Sequence, residues 1–226
     1  YLADFPDISA SSLYDGDFFD LTESYFRDRI AGREFLRSIK ASFTVYPLFM
    51  LDSNGYYMYG DAIYTVTYMT DEESVRYAAE RLSKTFSFFD GSDFFCSVIP
   101  DKEHYICRFT DYPCTDTHSV AEIFMNSLGA TYIDISVLLD EGDYYCTDLH
   151  WKQQSIEDVA ALLVSSMGVE HSIRSYQILK IGKFSGVYKG QSAFKCDDDD
   201  LLVLSDEVTD SVIVTDMITG EKIPIY

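Results

Sequence analysis

Apolar residues near the start of the chain recur at helical spacing. Between residues 20 and 42, Leu21, Tyr25, Phe26, Ile30, Phe35, Leu36 and Ile39 fall on one side of a helical wheel with Arg and Lys opposite, and Gly32 interrupts the run. The pattern predicts two helices meeting near Ala31-Gly32, or one bent helix, after an extended lead-in over residues 1–14. Arg27, Asp28, Arg29 and Arg33 read as a solvated helical face with local ion pairs. From residue 45 the pattern changes to strands, over 45–51, 56–59 and 63–68, with a turn at Asp52-Ser53-Asn54-Gly55, because Asn and Gly accept positive φ. The tyrosines of these strands either pack as half-buried strand aromatics or offer a stacking platform for a sugar.

Thr70 and Glu73 have capping-box spacing, and Val75, Ala78, Ala79, Leu82 and Phe86 follow on one helical face, which predicts a helix to about Phe88. A strand over 94–99 is stopped by Pro100, a helix over about 118–128 ends at Gly129, and a strand follows over 131–136. Ser155 is expected to cap a helix whose Ile156, Val159, Ala160, Leu163 and Met167 share a face, ended by Gly168. A strand is expected over 173–181, with another beginning at 184–188. This alternation predicts an α/β fold, a mainly parallel sheet flanked by helices. Beyond residue 200 short apolar runs at 201–204, 212–215 and 223–226 predict a small antiparallel meander. Three segments result: a helical lead-in over 1–43, an α/β domain over 44–188 and a β-rich extension over 189–226.

Composition narrows the functions open to such a chain. Its 226 residues allow one sizeable core, and 47% hydrophobic residues exclude a disordered chain. A formal net charge of −21 argues against a nucleic-acid or anionic-membrane surface, which needs clustered Lys and Arg. No apolar run reaches bilayer length, so membrane attachment would need a segment outside this chain. The first residue is not Met, as expected of a sequence trimmed of what preceded it. Asp197, Asp198, Asp199 and Asp200 lack the alternating ligands and later Glu of an EF-hand loop and read as a solvated turn. Five cysteines without a C-x-x-C pair support neither a zinc ribbon nor a thioredoxin-type site, and the odd count leaves at least one thiol free. Cys107 and Cys114 flank a Pro-containing turn, and either close a short loop or serve as small buried hydrophobes.

The chemistry gathers at Tyr144-Tyr145-Cys146-Thr147-Asp148-Leu149-His150-Trp151. In an extended segment Asp148 and His150 share a face. A carboxylate beside an imidazole fixes its tautomer and leaves the other ring nitrogen to take a proton from a nucleophile. Trp151 is expected to pack at the start of the next helix and hold the loop. Lys102, just after the strand that ends at Pro100, either lines the same crevice or sits at the surface. Two other uses of the residues stay open: Asp148 as a helix cap with His150 in the core, and a metal held by Asp148, His150 and Cys146. His104, His118 and His171 show no ligand spacing, and neither a metal nor a cofactor is expected.

Thr147-Asp148-Leu149-His150-Trp151 resembles the T-D-H-H-W signature of the DHHW family, a bacterial branch of SGNH-hydrolase-like proteins related to alginate O-acetyltransferases. Phe26-Arg27-Asp28-Arg29-Ile30-Ala31-Gly32-Arg33 is similar to the family's D-x-F-P-G-R helix, and Ser97-Val98-Ile99-Pro100-Asp101-Lys102 to its strand ending in P-D-K. Leu149 stands where the signature has its first His, and residues 152–157 lack the usual Thr and Gly-Ala. The resemblance implies a partial SGNH-like α/β domain, located in the cell envelope or exterior. It implies acyl transfer or deacylation on carbohydrate, with His150 as general base and Asp148 as its orienter. The family's serine follows the Asp-x-His pair in a D-S-F or D-S-Y turn. Asp210-Ser211 has the dipeptide but leads into a strand, and Ser205 precedes its Asp, so Ser211 is a weak candidate and the nucleophile is not identified. The chain is therefore expected to be an N-terminal portion that is inactive by itself. The alternative is a non-catalytic surface protein whose tyrosine-rich face binds glycans or another protein.

Overall fold

The computed structural model describes residues 4–45, 52–67, 69–170 and 175–225. The lead-in is helical sooner than its aromatic and polar mix suggests: α1 (Ala10–Asp15) is capped by Ser9 in a capping box with Ser12. Helices α2 (Asp17–Arg29) and α3 (Arg33–Val45) are separate, and Gly32 turns between them at φ 73°. The expected strand over 45–51 falls outside the described residues except for Val45, which ends α3. Tyr68, Ile173 and Tyr226, at the ends of other expected strands, and His171 also lie outside them.

Strands β1 (Tyr56–Tyr59) and β2 (Ala62–Thr65) pair antiparallel, with Tyr57 opposite Tyr64 and Met58 opposite Ile63. Asn54-Gly55 forms the expected tight turn, with φ 58° and 79°, and is closed by a bridge between Ser53 and Tyr56. Period-two alternation sends the two faces of this hairpin into different cores. Tyr57 and Tyr64 stack and pack on Ile106 with Tyr112, whereas Ile63, Tyr56 and Met58 meet Ala41, Tyr188 and Phe194. Tyr57 and Tyr64 are therefore core residues and not a sugar platform.

Helix α4 (Glu72–Phe86) is capped by Asp71, whose side chain accepts from Ser74 N, one residue later than the Thr70 cap expected. Strand β3 (Phe95–Cys96), α5 (Glu103–Ile106), α6 (Thr117–Leu128) and β4 (Thr131–Tyr132) follow. β3 and β4 pair in parallel on either side of α6, in the expected β/α rhythm. Their cores lie on opposite faces. Cys96 packs with Ala79, Ile123 and Leu128 of α4 and α6; Phe95 packs with Ile133, Ile135 and Val159 on the side of α7 (Glu157–Ser166). Ser155 does not cap α7; it ends a 3₁₀ turn, and Ile156 precedes the helix without a side-chain cap.

The last part of the fold is β5 (Gln177–Phe184), α8 (Val187–Ser192), β6 (Asp199–Ser205), α9 (Glu207–Asp210), β7 (Ile213–Thr215) and β8 (Lys222–Pro224). The strand expected at 184–188 is instead the end of β5 followed by the start of α8. β6 pairs antiparallel with β5, across α8, and β7 with β8, so the three runs expected as one meander are antiparallel but divided between two sheets. The described residues thus form a mixed α/β fold with four two-stranded sheets. Among these only β3 with β4 is parallel, and the mainly parallel sheet expected is not seen among the described residues. Cys107 and Cys114 are disulfide-bonded; Cys96, Cys146 and Cys196 are free. No helix among the described residues is long and apolar enough to cross a membrane.

Candidate active site

The loop carrying Asp148 and His150 is closed at its neck. Tyr144 and Trp151 form an antiparallel bridge, Tyr145 N donates to His150 O at 3.1 Å, and Lys152 N donates to Asp143 O at 2.6 Å. Trp151 is half-buried against Ile133, Ile135, Leu139 and Val159. Between these residues the backbone turns instead of running extended. Asp148 Oδ1 accepts from His150 N at 3.1 Å and lies 2.5 Å from His150 Nδ1. An Asx-type turn, not strand alternation, therefore brings the two side chains together.

The pair is asymmetric. The Asp148 side chain is 9% exposed and that of His150 72%, so His150 does not pack in the core. An ionised carboxylate only accepts, so in the neutral ring Nδ1 carries the proton and Nε2, on the far side, is left as an acceptor. Asp148 Oδ2 accepts from Val187 N, the first residue of α8, at 2.8 Å. Asp148 is thus a helix cap as well, but for a helix far along the chain. Burial pushes its carboxyl up, and the hydrogen bonds from Val187 and His150 outweigh that and hold it below the usual carboxylate range.

The main chain beneath the pair is held by buried groups. Thr147 is fully buried; its Oγ1 accepts from Gly186 N at 2.8 Å, and its carbonyl accepts from Lys189 N at 3.2 Å. A Cβ on Gly186 would lie 2.3 Å from Thr147 O and 2.5 Å from Asp148 Cβ, so only glycine lets α8 approach this closely. Asp199, the first residue of β6, accepts from Cys146 N at 2.8 Å and Thr147 N at 2.7 Å, and from Thr147 Oγ1. Asp199 is buried, which corrects the reading of its acidic run as a solvated turn. Asp198 and Asp200 remain at the surface in ion pairs with Lys189 and with Lys180 and Lys183. Sequence reasoning missed Asp199; its one local signal is that period two along β6 puts it on the face of Val203.

Lys102 neither lines a crevice nor sits at the surface. It is 1% exposed, and its Nζ donates to Tyr145 O at 2.9 Å and Cys146 O at 3.1 Å. Burial lowers its ammonium to about 8. Tyr144 Oη donates to Pro100 O at 2.6 Å, so the two stretches singled out at 97–102 and 144–151 meet through buried contacts.

Neither serine candidate joins the pair. Ser211 Oγ donates to Val208 O at 2.7 Å at the exposed end of α9, and Ser205 Oγ donates to Asp210 Oδ1 at 2.7 Å. Among the described residues no serine hydroxyl is hydrogen-bonded to the His150 ring. No group of three or more His, Cys, Asp or Glu among them is placed to hold a metal ion, so Asp148, His150 and Cys146 do not form the metal trio considered above.

No family model and no curated protein matches the chain. Solved structures match on fold. A DHHW family protein from Eubacterium siraeum superposes with a TM-score of 0.55 at 15% identity, over 68% of this chain and 55% of that one. PatB1 from Bacillus cereus superposes with a TM-score of 0.53 at 10% identity, over 74% of this chain and 64% of that one. A second PatB1 structure, with a sulfonyl adduct, gives 0.54 at 10% identity, over 74% and 62%. The chain spans between 55% and 64% of the length of these proteins. It has the mixed α/β fold of the DHHW family protein and of PatB1, as the resemblance of its 97–102 and 147–151 stretches implies.

Proposed function

We propose that this is an SGNH-like acyl-transfer protein, an O-acetyltransferase or esterase for carbohydrate of the cell envelope or exterior, with His150 as general base and Asp148 as the group that orients it. The observation that carries the reading is the 2.5 Å contact of His150 Nδ1 with a buried, multiply hydrogen-bonded carboxylate, on a ring that is otherwise exposed. In the reaction His150 Nε2 takes the proton of a serine hydroxyl as its oxygen attacks the acyl carbonyl, then returns it to the leaving oxygen. That serine is not identified in this chain, and the 226 residues alone are proposed to be inactive. The sulfonyl adduct of PatB1 supports the reading, because sulfonyl electrophiles capture activated nucleophiles. The Cys107–Cys114 disulfide suits an oxidising compartment such as the envelope or exterior.

The non-catalytic alternative, a tyrosine-rich face that binds glycans or another protein, loses Tyr57 and Tyr64 to the core and keeps Tyr59 at the surface. Labelling with a serine-directed fluorophosphonate tests the acyl-transfer reading. The 226-residue chain is expected to stay unlabelled. The protein as its gene encodes it is expected to label at one serine, and to lose that labelling in His150→Gln. Labelling indifferent to His150, or none in the whole protein, favours the binding protein.

A further inference from the structure

Lys102 and Asp199 hold the same two peptide groups from opposite ends. The unit joining Tyr145 to Cys146 presents its C=O to Lys102 Nζ at 2.9 Å and its N–H to Asp199 Oδ1 at 2.8 Å. The next unit, joining Cys146 to Thr147, presents its C=O to Lys102 Nζ at 3.1 Å and its N–H to Asp199 Oδ2 at 2.7 Å. In a trans peptide the carbonyl and amide point in opposite directions, and no cis bond occurs among the described residues. An ammonium and a carboxylate, both buried, therefore face each other across two aligned peptide dipoles.

We propose that Lys102 and Asp199 are positioning residues that act as one charge pair through these two peptide groups, fixing the backbone from which the Asp148–His150 contact is presented. Each charge leaves water, and each is offset by charge-assisted hydrogen bonds to the same peptides. The arrangement is directional: peptide units rotated away from this line lose contacts to both ions at once. Ile63 N also donates to Cys146 O, at 2.9 Å, so the β1–β2 hairpin braces the same point. Asp148 begins one residue beyond the held units, and its own side chain then meets His150 and Val187.

The proposal rests on the reading of Asp148 and His150 as the working pair, and its test keeps the two apart. Ring ¹⁵N NMR of His150 and amide hydrogen exchange are recorded on the chain and on Lys102→Met, Asp199→Asn and the double variant. Each single variant is expected to lose at least about tenfold in amide protection at Cys146 and Thr147 and to convert His150 from one Nδ1–H tautomer to a mixture. The double variant is expected to lose no more than the worse single one, because neither ion is then buried alone. Losses that multiply, or a single variant in which His150 keeps its tautomer, overturn the pair. A wild-type ring without a bonded Nδ1–H defeats the functional reading instead. Asp200→Asn, on the surface of the same strand, is expected to change none of this.

If the single variants do not fold, the wild-type chain decides the question between pH 7 and 9.5. The titratable groups around Lys102 Nζ are Cys146, Asp199, Asp148 and Glu103, with the rings of Tyr64 and Tyr188 at 5.0 Å. The Cys146 and Thr147 amide proton shifts are expected to follow the Lys102 titration, read at its ε-carbon, with one midpoint. Amides that do not respond overturn the proposal.

Discussion

At the scale of single residues, the site depends on a carboxylate kept ionised inside the protein. Asp148→Asn keeps the shape but loses the acceptor that selects the Nδ1–H tautomer, so the acyl transfer proposed for the whole protein is expected to fall about 10³-fold or more in kcat. Glu103 shows the opposite case. It is buried, Oε1 accepts from Thr65 Oγ1 at 3.3 Å, and Oε2 has no partner. Burial first, and then the nearby Asp101 charge, raise its carboxyl to about 7. A carboxyl raised in the folded state binds its proton more tightly there than in the unfolded chain. Its contribution is therefore full below the unfolded value of about 4.5 and is lost as pH rises through about 7, a change of about 3 kcal/mol. Urea unfolding of Glu103→Gln across pH 4–8 is expected to lack that fall. Asp148, His150 and Trp151 were legible because their signal lies in adjacent residues. The contacts of Lys102 and Asp199 with the loop span 43 and 52 residues, and no local pattern encodes them.

Among the elements, α8 is the one that places the carboxylate, and its sequence gives little reason for a helix. It spans six residues with Gly190 inside it, and isolated helices of that length do not persist in water. It forms because its exposed ends have partners. Thr147 and Asp148 take the N–H groups of Gly186 and Val187, and Arg37 of α3 donates to the carbonyls of Gly190 and Gln191 at 2.9 Å. This is why 184–188 reads as a strand until the loop at 147–148 is beside it. Helices α4 and α6 were legible to within a residue or two because each has a polar cap and one apolar face. Gly186→Ala places a methyl on the Thr147 carbonyl and is expected to cost about 3 kcal/mol in urea unfolding, with α8 displaced from Asp148. Arg37→Met should loosen the other end of α8, seen as faster amide exchange over that helix.

Across the whole molecule, segments distant in sequence are tied together around the site. The β5–β6 ladder and the bonds of Asp199 tie residues on both sides of position 188, and Arg37 ties the first helices to α8. The β/α rhythm was legible, but sheet order was not, because pairing partners are chosen by packing and not by local pattern. The Cys107–Cys114 bridge closes a short loop beside α5, and Cys107→Ser with Cys114→Ser is expected to lower stability by about 2–3 kcal/mol in denaturant. The ring ¹⁵N spectrum of His150 in the wild-type chain, recorded with the ring neutral, shows whether Asp148 sets His150 as a base. A protonated Nδ1, protected from exchange by the Asp148 bond, and an unprotonated Nε2 are expected. A ring protonated at Nε2, or one exchanging freely between tautomers, would contradict that role.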